Sequence, residues 1–391
     1  MSDAPVSSIA AYAELSSVAQ TAYSQILESA LAVEHSRTVA DLPGSFATKS
    51  VKGRPYWYYQ YTEPSGKLRQ LYVGPDNESV RQLVARKSSK PVTDALLPMA
   101  RSAMALGCAS LLPRHYQVIR RLADYGFFHA GGLLIGTHAF LAYSNMLGVS
   151  WGTAARTQDI DFAHPGKSVS LLLSADFDVH VHEAIESLGM GLLPMASLTS
   201  AQGASYLNPR EPDFRLDFLT VSHRGGNAPF EHPQLHITLQ PLKFMEFSLE
   251  NVQQAALLSP AGVVIANVPH PARFALHKLI VYGEREGSFA AKANKDLAQA
   301  ACLLAALKQH RAWEVEEAWA DLASRGKGWL DRARHGLAAL ERLAPELGAA
   351  TWLDAKNKTK GKTRRKSKKL NSKTGAAFPP VMRRKSRQWL F

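Results

Sequence analysis

Apolar positions recur at helical spacing near the start of the chain (Ile9, Tyr12, Leu15, Val18, Tyr23, Ile26, Leu27, Leu31), which predicts a helix or helix pair over residues 5–35. From Ser45 to Gly74 the period shortens. Aromatic runs there are broken by Lys52-Gly53 and Pro64-Ser65-Gly66, the punctuation of a small antiparallel meander. Helical patterning returns over Ser79–Leu112, with Asn77 or Ser79 as N-cap after Pro75, and over His115–Tyr125. The stretch GGLLIGTHAFLAYSNMLGVSWGTAARTQDIDF, Gly131 to Phe162, then reads as a buried strand, a Gly-Thr turn, a helix, a loop and a second strand. Residues 168–189 hold an apolar run and a helix, VHEAIESLGMG, closed by glycine. Phe214–Val221 alternates as a strand and Gly225-Gly226 break it. From Val263 a strand and a Pro-flanked turn lead into a helix beginning near Pro271, and residues 290–308 and 310–344 read as two or three more helices.

Charge changes this picture at one end only. The chain of 391 residues has a formal net charge of +13, but residues 355–391 hold 14 Lys or Arg and no acidic residue. The rest carries 32 basic against 33 acidic residues, so the body is neutral and the tail holds the whole excess. With no hydrophobic period, that tail is expected to be disordered and to suit phosphate backbones through salt-sensitive electrostatics. Cys108 and Cys302 sit in apolar helical surroundings and read as small buried hydrophobes of a reducing compartment. The first residues lack the pattern of a secretory signal, and the most apolar window, Ala95–Pro113, is interrupted by Arg101; a cytoplasmic protein without membrane contact is expected.

The candidate chemistry lies in the central stretch. Asp159 and Asp161 are two apart, so on a strand they share a face while Ile160 and Phe162 enter the core. Two carboxylates side by side repel unless a cation lies between them, and a hard divalent ion such as Mg²⁺ is the usual solution. Asp217 in RLDFLTV points opposite to Leu216 and Phe218 and is the best third carboxylate, completing the site and helping to activate an acceptor hydroxyl. Gly136-Thr137 could hold phosphate at the start of the following helix. Together these features predict a two-metal Mg²⁺ (or Mn²⁺) site for nucleotidyl transfer, with Asp159, Asp161 and Asp217 as ligands. Asp176 and Asp178 form a second DxD before His180 and His182, but no phosphate turn precedes it and the spacing is not that of a zinc protease; a surface loop is expected there.

Gly-Thr, a helix, a hydrophobic-flanked DxD and a third Asp on a later strand resemble the nucleotidyltransferases of the DNA polymerase β-like superfamily. More narrowly, LLIGTHAF, RTQDIDFA and LDFLTV look like a bacterial nucleotidyltransferase-fold family related to toxin-type enzymes such as AbiEii. The resemblance covers roughly residues 110–310. It implies an α+β fold, a mixed sheet flanked by helices. It also implies that Lys278, Arg285 and Asp296, in PARFALHKLIVYGER and KANKDLAQA, contact the triphosphate, and it allows a regulatory, antitoxin-like partner protein. Between Thr137 and Asp159 the chain is longer than in many members, and MLGVSWGTAART, with Arg156 and Thr157 at its end, is read as a loop over the nucleotide.

The organisation expected is an N-terminal helical and meander module over 1–110, a catalytic core over 111–240, a C-terminal helical domain over 241–350 and the basic tail over 351–391. The substrate expected is an NTP and the favoured acceptor is RNA, in toxin fashion a tRNA end. Transfer to a protein hydroxyl and a catalytically degenerate nucleic-acid-binding module are the alternatives. In the meander, Tyr56, Trp57, Tyr58, Tyr59 and Tyr61 with Lys52, Arg54, Lys67 and Arg69 read either as a stacking surface for nucleic acid or as the core of a small sheet.

Overall fold

The structure is a computed structural model describing residues 12–35, 44–51, 53–62, 68–88, 93–152, 157–166, 179–195, 203–222, 226, 228–284 and 290–354. Lys52, Lys67, Arg156, Arg285, the second DxD and residues 355–391 of the basic tail lie outside the described residues, whereas residues 351–354 are helical with Leu353 in the main core.

The N-terminal part holds β1 (Ala13–Glu14), α1 (Ser17–His35), the strands β2 (Ser45–Val51), β3 (Arg54–Thr62) and β4 (Leu68–Pro75), and the helices α2 (Glu78–Ser88) and α3 (Thr93–Ala105). The expected meander forms, in the order β2-β3-β4. The long helix expected over Ser79–Leu112 is two helices, α2 and α3, with Pro91 in the segment between them.

The central part runs α4 (Pro113–Asp124), β5 (Leu133–Ile135), α5 (Gly136–Leu147), β6 (Val149–Ser150), β7 (Ile160–His164), α6 (Val181–Glu186), β8 (Leu193–Pro194), β9 (Ser205–Asn208), β10 (Glu211–Val221), β11 (Phe230–His232), β12 (Ile237–Leu242) and α7 (Met245–Leu249). Seven of its eight strands form one mixed sheet ordered β11-β12-β10-β7-β5, with β8 and β9 attached through β10, while β6 pairs with β1. β7 lies parallel to β10 and antiparallel to β5. The alternation seen in the sequence is what orients these strands. Ile160, Phe162, Leu216 and Phe218 enter the main core with α4 and α5, while Ala163, Val221, Leu133 and Ile135 cover the other face with α7. The whole is α+β, as expected.

Next comes a hairpin, β13 (Val252–Ser259) and β14 (Gly262–Pro269), paired along its full length. Sequence alone shows only its second strand. The hairpin is buried on both faces: Ala255, Leu257, Val264 and Ala266 join the main core, and Ala256, Leu258, Val263 and Ile265 join a second core made by α1 and α3. A strand covered on both sides loses the alternation that would announce it. The Asn267 side chain donates to the Phe128 and Gly132 carbonyls and ties the hairpin to the approach of β5. The Tyr23 hydroxyl of α1 accepts from the Ala256 amide.

The chain ends in α8 (Pro271–Glu284), α9 (Ala290–His310), α10 (Ala312–Ser324) and α11 (Lys327–Leu343). The α8–α11 crossing is close because glycine stands at it. A Cβ on Gly336 would lie 2.2 Å from the Leu279 carbonyl oxygen, and one on Gly283 would lie 2.6 Å from that of Arg332. Both cysteines are free and buried, and no described helix is long and apolar enough to cross a membrane.

Because backbone cannot yield as a flexible side chain does, Gly336→Ala must push α8 and α11 apart. It is expected to cost about 1–3 kcal/mol of unfolding free energy, measured by urea denaturation against the wild type; an unchanged midpoint would refute the close crossing.

Candidate active site

The site is set by strand register. Asp161 on β7 is directly opposite Asp217 on the parallel β10, and opposite Ile135 at the end of β5 on the other side. Adjacent strands are about 4.8 Å apart, so the two carboxylates rise as neighbours from one face. Asp159 precedes the strand, and its side chain is 36% exposed against 14% for Asp217.

Gly136, the first residue of α5, makes room for this pair. Its φ is +62°, and a Cβ there would lie 2.0 Å from Asp161 Oδ2. Any larger residue collides with the carboxylate. The Thr137 side chain is buried, and its hydroxyl accepts a 3.3 Å hydrogen bond from Gln299 of α9. The Gly-Thr pair thus packs the carboxylate strand and α9 together.

Charges around the pair come from three elements. Arg215, two residues before Asp217 and therefore on the same face of β10, places its guanidinium 2.9 Å from Asp217 and 3.9 Å from Asp159. Ser205 on β9, the direct cross-strand partner of Asp217, donates its hydroxyl to Asp217 Oδ1 at 2.5 Å. On the helical side, Lys278 of α8 pairs with Asp296 of α9 at 2.5 Å, both largely buried, and its ammonium lies over the Phe274 ring. Lys292 and Lys278 both act electrostatically on Asp161. Burial and the Lys278 charge hold the Lys295 amine below its usual range, against the pull of Asp161, Asp296 and Asp159.

Asp161 itself is pushed up to about 6, first by burial and then by Asp217, with Asp159 adding to it. A half-buried carboxylate with a carboxylate neighbour is the donor chemistry of a hard divalent cation. Among the described residues, no group of three or more His, Cys, Asp or Glu side chains is placed to hold a metal ion, so Asp159 does not join Asp161 and Asp217 in a ready-made ligand set. Asp161 and Asp217 are nonetheless a fitting pair, since Mg²⁺ is ordinarily bound by one or two carboxylates with water and substrate phosphates completing its shell.

Arg215, Ser205, Lys292 and Lys295 were not singled out from sequence. A signal existed for the lysines. Lys292, Lys295, Asp296 and Gln299 fall at i, i+3, i+4 and i+7, a polar stripe along one side of the first half of the helix. Thr157, whose hydroxyl lies 3.4 Å from the Asp159 carbonyl oxygen, flanks the site on its described side. His138, next to the Gly-Thr turn, is buried with its Nε2 2.9 Å from His115 Nδ1 and faces the core. His182 meets the Tyr206 hydroxyl at 2.8 Å.

Residues 114–324, just over half the chain and running from α4 through α10, match the model of a nucleotidyltransferase family. The chain belongs to this family. It is a nucleotidyltransferase, an enzyme acting on an NTP. Residues 23–82 match a second family described as a domain of unknown function, DUF6788. No curated protein and no solved structure matches the chain. All of the described site residues of this nucleotidyltransferase fall inside the first match.

Two outcomes follow from this geometry. Gly136→Ala should cost about 1–2 kcal/mol through its left-handed backbone, and roughly a hundredfold in transfer rate through displacement of Asp161; full activity in a steady-state assay would contradict the contact. The second concerns the histidine pair. Burial holds His115 down at about 4 and His138 at about 3. Below pH 6.5 the unfolded chain therefore takes up protons that the folded one refuses, and stability should fall as pH drops from 6.5 toward 4. The slope is up to about 1.4 kcal/mol per pH unit for each histidine. His138→Leu should remove about one proton from that slope in denaturation curves taken across the window; an unchanged slope would refute the neutral pair.

Proposed function

We propose that the enzyme transfers a nucleoside monophosphate from an NTP to an acceptor hydroxyl, with Mg²⁺ bound at Asp161 and Asp217 and completed by Asp159. The observation that carries this reading is the register-locked pair of Asp161 and Asp217 facing a lysine-bearing helix pair. Magnesium bound there would neutralise phosphate charge and orient the reacting oxygens.

The remaining steps belong to the side chains. Lys278, Lys292 and Lys295 offer three ammonium groups to a triphosphate of about four negative charges. Lys278 starts out paired with Asp296 and acts electrostatically on Asp161. Asp217, fixed by Ser205 and Arg215, accepts the proton of the acceptor hydroxyl. That oxygen bonds to the α-phosphorus, the bond from the α-phosphorus to the bridging oxygen breaks, and pyrophosphate leaves. Gly136-Thr137, at the first turn of α5, is where backbone N–H groups could meet a phosphate, and Arg156, Thr157 and Arg285 are proposed as further nucleotide contacts. Positioning and charge neutralisation supply most of the rate enhancement in such chemistry.

RNA is the acceptor we favour, in keeping with the basic run of residues 355–391 and with the resemblance to toxin-type enzymes. The test is incubation with each α-labelled NTP, Mg²⁺ and total RNA or lysate protein. Label is expected in RNA with one preferred nucleotide. Asp217→Asn and Asp161→Asn should each lose about a hundredfold or more of it, while Asp161→Asn melts no lower than the wild type because a repelled buried charge is gone. Label confined to protein bands would replace the acceptor, and full activity of either variant would overturn the site.

A further inference from the structure

The meander β2-β3-β4 sorts its aromatic residues onto two faces with opposite fates. On the inner face Phe46, Trp57 and Tyr59 pack edge to face, Tyr59 is fully buried, and Trp57 donates its indole N–H to Asp76 at 3.0 Å. Strand register places Lys49 opposite Tyr56, and Tyr58 opposite Tyr72, on the other face. There Tyr72 has ring contacts to Tyr56 at 6.1 Å and to Tyr58 at 5.6 Å, and is 59% exposed. The Lys49 ammonium lies 4.9 Å from the centre of the Tyr58 ring and is held by Gln70. Arg54, at the start of β3, is exposed.

The inner face already supplies a core, and on the outer face Tyr72 is exposed against half-buried Tyr56 and Tyr58. Charge complementarity narrows the partner. The three strands contain no Asp or Glu, while Lys49 and Arg54 flank the rings. Flat, amphipathic rings bordered by cations suit a ligand with π-faces joined by phosphates. An acidic peptide would satisfy the cations and leave the ring faces without a partner. A duplex would offer phosphates but no unstacked bases.

We propose that Tyr56, Tyr58 and Tyr72, with Lys49 and Arg54, form a stacking platform that binds single-stranded RNA. This deepens the reading above by naming a docking surface for the acceptor, and it rests on that reading only in taking the strand bound here to be the acceptor. The platform sits within the residues that match the domain family of unknown function. Stacking holds successive bases without reading their sequence, and the two cations track the backbone.

The test uses the full-length protein and fluorescence anisotropy with a labelled, unstructured oligoribonucleotide across a salt series. Tyr72→Leu preserves apolar area on the sheet but removes the ring, and should weaken binding about tenfold with the salt slope unchanged. Tyr72→Phe should restore binding. Lys49→Gln combined with Arg54→Gln should lower the salt slope by about 1.4, the single-strand value for two phosphate contacts. A duplex of the same sequence should bind less tightly than the strand. Unchanged affinity in a Tyr72→Leu protein that melts like the wild type would overturn the proposal, and so would equal binding of the duplex. The two readings fail separately. If Tyr72→Leu loses binding while no NTP labels RNA, the platform stands and the acceptor reading falls. If RNA is labelled but Tyr72→Leu binds as before, the acceptor reading stands and the platform falls.

Discussion

Like charges forced into neighbouring strand positions are the constraint on which this structure turns. Parallel pairing of β7 and β10 leaves Asp161 and Asp217 no freedom to separate without breaking the sheet. Nearby residues answer that repulsion. Arg215 reaches Asp217 and Asp159, Ser205 donates to Asp217, and Lys278 and Lys292 act on Asp161 from the helical side. Even the left-handed start of α5 is dictated by it, because only glycine leaves space for the Asp161 carboxylate. The folded chain keeps a cluster that disfavours its own stability, as functional sites commonly do.

The parts of the site that show in the sequence are those whose neighbours in the chain contrast with them. Asp217 stands out because Leu216 and Phe218 on either side are core residues, and Asp161 stands out for the same reason between Ile160 and Phe162. Arg215 and Ser205 have no such contrast; their significance appears only when strand pairing brings them beside Asp217. The Lys292–Gln299 stripe was readable in principle, but a polar stripe on a helix ordinarily faces solvent. Only the packing of α9 brings Asp296 to Lys278 and Gln299 to Thr137. Thr137 carried a phosphate expectation that any Gly-Thr turn invites, whereas its hydroxyl meets Gln299, a residue 162 positions away in the chain.

The fold follows the same rule. Amphipathic segments such as α4 and β10 were legible because one face is wet and the other dry. The hairpin β13–β14 was legible only in part, since helices and strands cover it on both sides. In the meander the alternation was present but masked, because Tyr occupies both faces. A tyrosine ring serves a core and a solvent surface equally well, so composition alone could not divide Tyr59 from Tyr72.

The doubly covered hairpin also bears on how the protein is made. Tyr23 in α1 meets Ala256 in β13 across a separation of 233 residues. On the ribosome, α1 and α3 emerge long before the surface they dock on exists, and their apolar sides must wait, at about 5–20 residues per second, for β13 and β14 to be synthesised. Contacts so distant in sequence slow folding and leave adhesive surface exposed in the interval. The docking of α1 and α3 on the hairpin therefore completes only after β13 and β14 have been synthesised.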